Sequence, residues 1–167
     1  MKLRKSTQSD INSIMKIIGQ AQEYFKKNNI DQWQNDYPNY ETIKNDIDKE
    51  ESYVLINNNE ILATVAISFN VEKNYGVIYD GRWLSNENYA VVHRVAVDKD
   101  HKGKGLSGKV FMGLEEICLD NNIHSIKIDT HKENLSMQKF LKKHGFKYCG
   151  IIYLPDKSER IAFEKVL

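Results

Sequence analysis

The stretch Tyr89–Phe111, YAVVHRVAVDKDHKGKGLSGKVF, constrains this chain more than any other. It begins as a run rich in Val and Ala, passes a polar turn, and becomes a basic, glycine-rich loop that opens an amphipathic helix. A strand followed by a glycine-rich loop and a helix N-terminus presents unpaired backbone N–H groups to an anion. Gly103, Gly105 and Gly108 permit positive φ and close approach of a ligand to the backbone, and Lys99, Lys102, Lys104 and Lys109 add positive charge. The residues therefore read as a phosphate-binding strand–loop–helix. The Walker pattern is excluded, since no Gly-Lys-Ser/Thr follows at the required spacing. Gly103-x-Gly105-x-x-Gly108 matches the dinucleotide string, but Asp98–Lys102 separates it from the strand.

The order of elements around this stretch argues against a doubly wound nucleotide fold. Lys2–Ser6 predicts a short strand. Thr7 with Asp10 forms a capping-box pattern, and Ile11, Ile14, Met15, Ile18, Ala21 and Phe25 recur at helical spacing, which predicts a helix from Gln8 to about Lys27, ended by Asn28-Asn29. The polar stretch Ile30–Tyr40 carries Trp33, Tyr37 and Tyr40, and a second helix is expected over Glu41–Lys49. Tyr53–Ile56 and Ile61–Phe69 read as strands joined by a hairpin turn at Asn57–Glu60. After the irregular Asn70–Asn88 comes the central strand Tyr89–Val97, with Val91, His93, Val95 and Val97 on one face and Ala90, Val92, Arg94 and Ala96 on the other. A helix over Gly105–Asn121, a strand over Ser125–Thr130 and a helix over Asn134–Lys143 follow, the last closed by Gly145-Phe146. Strands near Phe146–Tyr153 and Arg160–Val166 complete the chain. Short turns in the first half predict antiparallel pairing, and the helix after the central strand predicts a parallel pair. The class is α+β with a mixed sheet, not an alternating βα array.

Two ordered segments resemble the GNAT superfamily of acyl-CoA-dependent N-acyltransferases, over nearly the whole chain. The family's [Arg/Gln]-x-x-Gly-x-[Gly/Ala] motif corresponds to Lys102, Gly105 and Ser107, with Lys for Arg/Gln and Ser for Gly/Ala. The later segment Asp129–Phe146, DTHKENLSMQKFLKKHGF, resembles the stretch in which an Asn opens a helix and Gly-Phe follows it, here Asn134 and Gly145-Phe146. The resemblance implies one GNAT-like domain over residues 1–167, a central mixed sheet flanked by helices, and acetyl-CoA as cosubstrate. It implies CoA contacts from Lys102, Gly103, Lys104, Gly105, Leu106, Ser107 and Asn134, and a carbonyl polarised by backbone N–H groups around Val95 and Val97. Many members carry a Tyr four residues before that Gly, placed to protonate the leaving thiolate. Leu141 stands there instead.

Acyl transfer to an amine needs a neutral nitrogen, and an alkyl ammonium has a pKa of about 10.4. His93 is the candidate base, with a hydrogen-bonded sheet histidine as the other reading. Asp129 and His131 share a strand face and offer a proton relay through water, or a structural pair. Arg94 reads as an ion-pair partner. Trp33, Tyr37, Tyr79 and Trp83 sit in polar loops and are the candidates for an acceptor pocket, with core packing as the other reading; the resemblance favours the pocket for Trp33 and Tyr37. Cys149 lacks a His/Asp partner pattern and reads as a small apolar residue.

The remaining classes are narrowed by composition. Of 167 residues, 41% are hydrophobic and 28% charged, with net charge +1, which gives no global pull toward nucleic acid or an anionic membrane. No apolar run is long enough for a bilayer, the N-terminus lacks the apolar core of a signal peptide, and Cys118 and Cys149 lie far apart without metal-ligand spacing. A cytoplasmic setting, no metal, and a small-molecule or peptide amine acceptor are expected. Family members are often homodimers. A non-catalytic acyl-CoA-binding module is the main alternative to an enzyme, with Leu141 as its support.

Overall fold

A computed structural model describes residues 1–167. The chain divides into two compact units, Met1–Ile67 with His93–Leu114, and Ser68–Val92 with Glu115–Leu167. Seven strands run in the order β1-β2-β3-β4-β5-β7-β6. These are β1 (Lys2–Lys5), β2 (Ser52–Asn57), β3 (Glu60–Ser68), β4 (Ala90–Val97), β5 (Ser125–Thr130), β6 (Lys147–Tyr153) and β7 (Glu159–Val166). The helices are α1 (Ile11–Lys27), α2 (Tyr40–Asp48), α3 (Leu106–Asp120) and α4 (Leu135–Lys143). The β1–β2, β2–β3, β5–β7 and β6–β7 pairs are antiparallel and β4–β5 is parallel, so the sheet is mixed as expected.

In the first unit, the start of α1 is set by Asp10. Its carboxylate accepts from the Thr7 N–H at 2.7 Å and from Arg4 Nη1 and Nη2 at 2.7 and 3.0 Å. The Arg4 guanidinium holds the Asp10 carboxyl below the usual range, against the opposing effect of burial. A short 3-10 turn over Gln8–Asp10 precedes the α-helix, with the Asp10 N–H donating to Thr7 O at 2.9 Å. Ile11, Ile14, Ile17 and Ile18 then pack with Ile43, Val54 and Ala96. Each such side chain contributes roughly 1.5–3 kcal/mol by leaving water. The β2–β3 hairpin turns at Asn58 and Asn59, with φ of 47° and 66°. Two central residues of positive φ define a turn whose twist matches the strands, and Asn tolerates that conformation.

In the second unit, β5 carries Ile126 and Ile128 into the core, and Lys127 between them is buried as well. Its ammonium lies 4.4 Å from the Trp83 ring centroid and 3.9 Å from that of Tyr89. Glu164 on β7 is fully buried and accepts from Ser125 Oγ and the Leu84 N–H, each at 2.6 Å. The segment over residues 69–89, irregular apart from a short 3-10 turn at Lys73–Tyr75, is stitched to β6 where Tyr79 and Ile151 exchange N–H···O bonds of 2.8 Å. Gly150 (φ +142°) allows this approach, since a Cβ there would collide with the Tyr79 carbonyl oxygen. α4 ends as its sequence predicts: Gly145 adopts φ +87°, Phe146 N–H donates to Leu141 O at 3.0 Å, and the Phe146 ring is buried. No helix is long and apolar enough to cross a membrane.

Candidate active site

Within the first unit, the glycine-rich loop is built from its preceding turn. Asp98 closes β4, and its N–H donates to Leu62 O at 2.9 Å. Its carboxylate accepts from Gln20 Nε2 at 3.1 Å and from Asp100 N–H at 3.0 Å, and lies 3.1 Å from His101 Nδ1. Gln20 also accepts from the Lys99 N–H at 2.9 Å, so α1 braces the turn from which the loop departs. Neither Gln20 nor Asp98 stood out in the sequence as part of this loop. An Asp two residues before a polar N–H was the available signal.

Beyond that brace, the loop is open. Gly103 and Gly105 have φ of +78° and +72°, and a Cβ on either would meet nothing within 4 Å. Lys102 and Lys104 are exposed; Lys102 Nζ lies 4.6 Å from the Tyr24 ring centroid and Lys104 Nζ reaches the Asp100 carbonyl at 3.4 Å. Lys109 N–H donates to Gly105 O at 3.3 Å, which makes Gly105 the residue that starts α3. The N–H groups of Leu106, Ser107 and Gly108 then have no acceptor inside the helix. The cradle thus combines open space, outward N–H groups and flanking positive charge, which is what a pyrophosphate requires.

β4 departs from the regular alternation expected of it. Arg94 has φ +53°, a left-handed conformation in mid-strand that nothing about an Arg advertises in sequence. Its guanidinium donates to Asp46 of α2 through Nε at 2.6 Å and Nη2 at 2.8 Å, and to Tyr37 Oη through Nη1 at 3.0 Å. Burial raises the Asp46 carboxyl pKa against the pull of Arg94. The neighbouring His93 is pushed down to about 3 by burial first and by the Arg94 charge second. It is therefore a neutral imidazole throughout the physiological range. Val95 and Val97 follow on the same strand, both partly buried.

The aromatic candidates divide into exposed and anchored members. In the first unit Tyr37 is 46% exposed, whereas Trp33 is packed against the α1 cluster with its ring 5.5 Å from that of Phe25. In the second, Tyr79 is 52% exposed, and Trp83 is packed in a cluster with Tyr75, Val91 and Ile152, its Nε1 donating to Tyr75 O at 2.9 Å. Asp129 accepts from Tyr75 Oη at 2.7 Å, and its carboxyl pKa is raised by burial. His131 Nδ1 accepts from Glu133 N–H at 3.1 Å, in the turn before α4. Asn134 is buried and its Oδ1 caps α4 by accepting from Met137 N–H at 3.2 Å. Leu141 is fully buried. Cys118 and Cys149 are buried and burial pushes their thiols up to about 12 and about 11, so neither supplies a thiolate at neutral pH.

Residues 18–146, more than half of the chain, match the acetyltransferase (GNAT) family. A crystal structure of a GNAT-family acetyltransferase from Streptococcus agalactiae 2603 has a TM-score of 0.92 and 31% identity, covering 99% of this chain and 95% of that one. The PaiA N-acetyltransferase from Thermoplasma acidophilum, crystallised in complex with coenzyme A, has the same fold with a TM-score of 0.73 and 14% identity, covering 99% and 98%. Among curated proteins, the uncharacterized N-acetyltransferase YjcF of Bacillus subtilis (strain 168) is 26% identical over 83 residues, which span 46% of this chain and 57% of that protein.

Proposed function

Given that the chain belongs to the acetyltransferase (GNAT) family, we propose that it transfers the acetyl group of acetyl-CoA to a primary amine by direct attack. The observation that carries this reading is the turn Lys102–Ser107, where two glycines of positive φ leave open space in front of the α3 N-terminus. Lys102, Gly103, Lys104, Gly105, Leu106 and Ser107 hold the pyrophosphate through backbone N–H groups and flanking charge. The coenzyme A complex of the Thermoplasma relative supports the cofactor class. When bound, acetyl-CoA supplies a thioester whose carbonyl is electrophilic and whose thiolate leaves.

The chain's own residues then have three tasks. Backbone N–H groups at Val95 and Val97 stabilise negative charge as it develops on the carbonyl oxygen. His93, neutral and with a conjugate-acid pKa of about 3, is too weak to deprotonate a free ammonium. Moving a proton from a group of pKa ~10.4 to one of ~3 is uphill by roughly 10 kcal/mol. The amine therefore enters neutral, and His93 accepts its proton only after C–N bond formation has acidified the nitrogen. The C–S bond breaks with the electron pair on sulfur, whose ordinary thiol pKa of roughly 8.5 makes it a tolerable leaving group without a Tyr at position 141. Within the first unit, Tyr37 is the exposed aromatic contact proposed for the acceptor, with Trp33 beside it packed on the α1 cluster. A small-molecule amine and a peptide amine both fit this reading.

The test is calorimetric titration with acetyl-CoA, followed by a panel of primary amines with release of CoA thiol as readout. Binding with amine-dependent thiol release is expected. Binding with no release for any amine would favour the acyl-CoA-binding module, to which the buried Leu141 points.

A further inference from the structure

We propose that Arg94 is a positioning residue that couples the Tyr37 loop to the peptide group of Val95; this rests on the acetyl-CoA reading above. The observations lie within one compact unit. Arg94 is the one residue of β4 with positive φ. A backbone at φ +53° cannot continue the pleat, so the peptide group after it turns away from the ladder direction. A non-glycine residue keeps such a conformation only where its surroundings over-determine it. Here they do. The guanidinium fork is fixed on Asp46 by two bonds of 2.6 and 2.8 Å, and the two side chains are only 13% and 5% exposed.

Asp46 is itself held firmly. It belongs to α2, whose start is capped by Asn39 accepting from Thr42 N–H at 3.0 Å, and its carbonyl accepts from Glu51 N–H at 2.9 Å. The third guanidinium bond, from Nη1, goes to the hydroxyl of Tyr37, an exposed residue of the loop between α1 and α2. One side chain thus connects a surface loop, a capped helix and the turned peptide of β4. Lys could not replace it, since an ammonium lacks the planar fork that satisfies a carboxylate and a third acceptor together. Arg94 sets the Val95 N–H toward the acyl oxygen, and contact at Tyr37 is transmitted to that amide.

The experiment is two-dimensional NMR of valine-15N-labelled protein, comparing the Val95 amide resonance in acetyl-CoA and CoA complexes. In the wild type the two complexes should differ at Val95. In Arg94→Ala that difference should collapse, while the acetyl-CoA dissociation constant changes less than about threefold. Arg94→Gly should retain the difference, because glycine adopts the same φ without the fork. Tyr37→Phe should shift the Val95 resonance in the ligand-free protein. Should Arg94→Ala fail to fold, Asp46→Asn loosens the fork while keeping Arg94, and the difference should shrink. A Val95 response in Arg94→Ala or Asp46→Asn equal to that of wild type would overturn the coupling, as would Gly behaving no better than Ala. A wild-type protein that does not bind acetyl-CoA would instead overturn the reading on which it rests.

Discussion

Gly105→Val tests the phosphate cradle most directly, because the structure separates its two costs. In the free protein a Cβ at this position meets nothing within 4 Å, so no clash accompanies the substitution. The residue sits at φ +72°, where an L side chain costs roughly 1–2 kcal/mol. For a chain of this size each kcal/mol lowers Tm by about 2–4 °C, giving a fall of roughly 2–8 °C. The second cost appears only with ligand. The branched side chain fills the space in front of the α3 N-terminus and keeps phosphate oxygens from the N–H groups of Leu106 and Ser107. Losing one charge-assisted hydrogen bond of about 1.5–3 kcal/mol raises the acetyl-CoA dissociation constant at least tenfold. Gly105→Ala, with a smaller side chain, should share the Tm loss and show a smaller affinity loss. Differential scanning calorimetry and isothermal titration give the two quantities separately. A folded Gly105→Val protein with unchanged affinity for acetyl-CoA would refute the assignment of the cradle.

Local sequence chemistry revealed most of the elements, because their signals are short-range. Thr7 with Asp10 marked the start of the first helix, Asn57–Glu60 the hairpin, and Gly145-Phe146 the end of α4, and each adopts the geometry that those residue types favour. The glycine loop was legible for the same reason. What could not be read were features made by partners distant in the chain. Asp98 gains its meaning from Gln20, seventy-eight residues away, and Arg94, legible as an ion-pair partner, finds its particular partners in Asp46 and Tyr37. The left-handed turn at Arg94 is imposed by that tertiary clamp against local propensity. Lys127 is a further case: Trp83 and Tyr89 cover it, and Glu164 lies near enough to oppose the effect of burial on its pKa. Trp33 shows how much a polar neighbourhood leaves unsaid. Its surroundings in sequence suggested a pocket wall, and its ring, partly exposed, packs on Phe25 and the α1 cluster with one side, a contact the sequence did not reveal.

Three further tests follow from the charges and thiols. Asp10→Asn should cost about 1–3 kcal/mol at pH 7 by weakening the bonds to Arg4 and Thr7. The Asp10 pKa is lowered in the fold, so its contribution is present above the unfolded carboxylate pKa and fades as pH falls through the folded value; urea titrations of the variant should show a flatter acid limb. His93→Asn should flatten a different window. With a folded pKa of about 3 against an unfolded ~6.5, the unfolded chain binds the extra proton between those values, and wild-type stability falls as pH falls from 6.5. The accumulated loss near pH 3 is on the order of 4 kcal/mol, and a variant with the wild-type slope would show that His93 is not held neutral. Cys149→Ala decides the chemical route. The thiol is buried with its pKa pushed up to about 11, which leaves a thiolate fraction near ~10⁻⁴ at pH 7, too little for a nucleophile that must compete with direct attack. Intact-mass analysis after mixing wild type with acetyl-CoA and no amine should therefore show no stoichiometric acetyl adduct, and Cys149→Ala should keep its turnover. An adduct that disappears in Cys149→Ala together with activity would establish an acyl-enzyme, because only a nucleophilic sulfur could account for both losses at once.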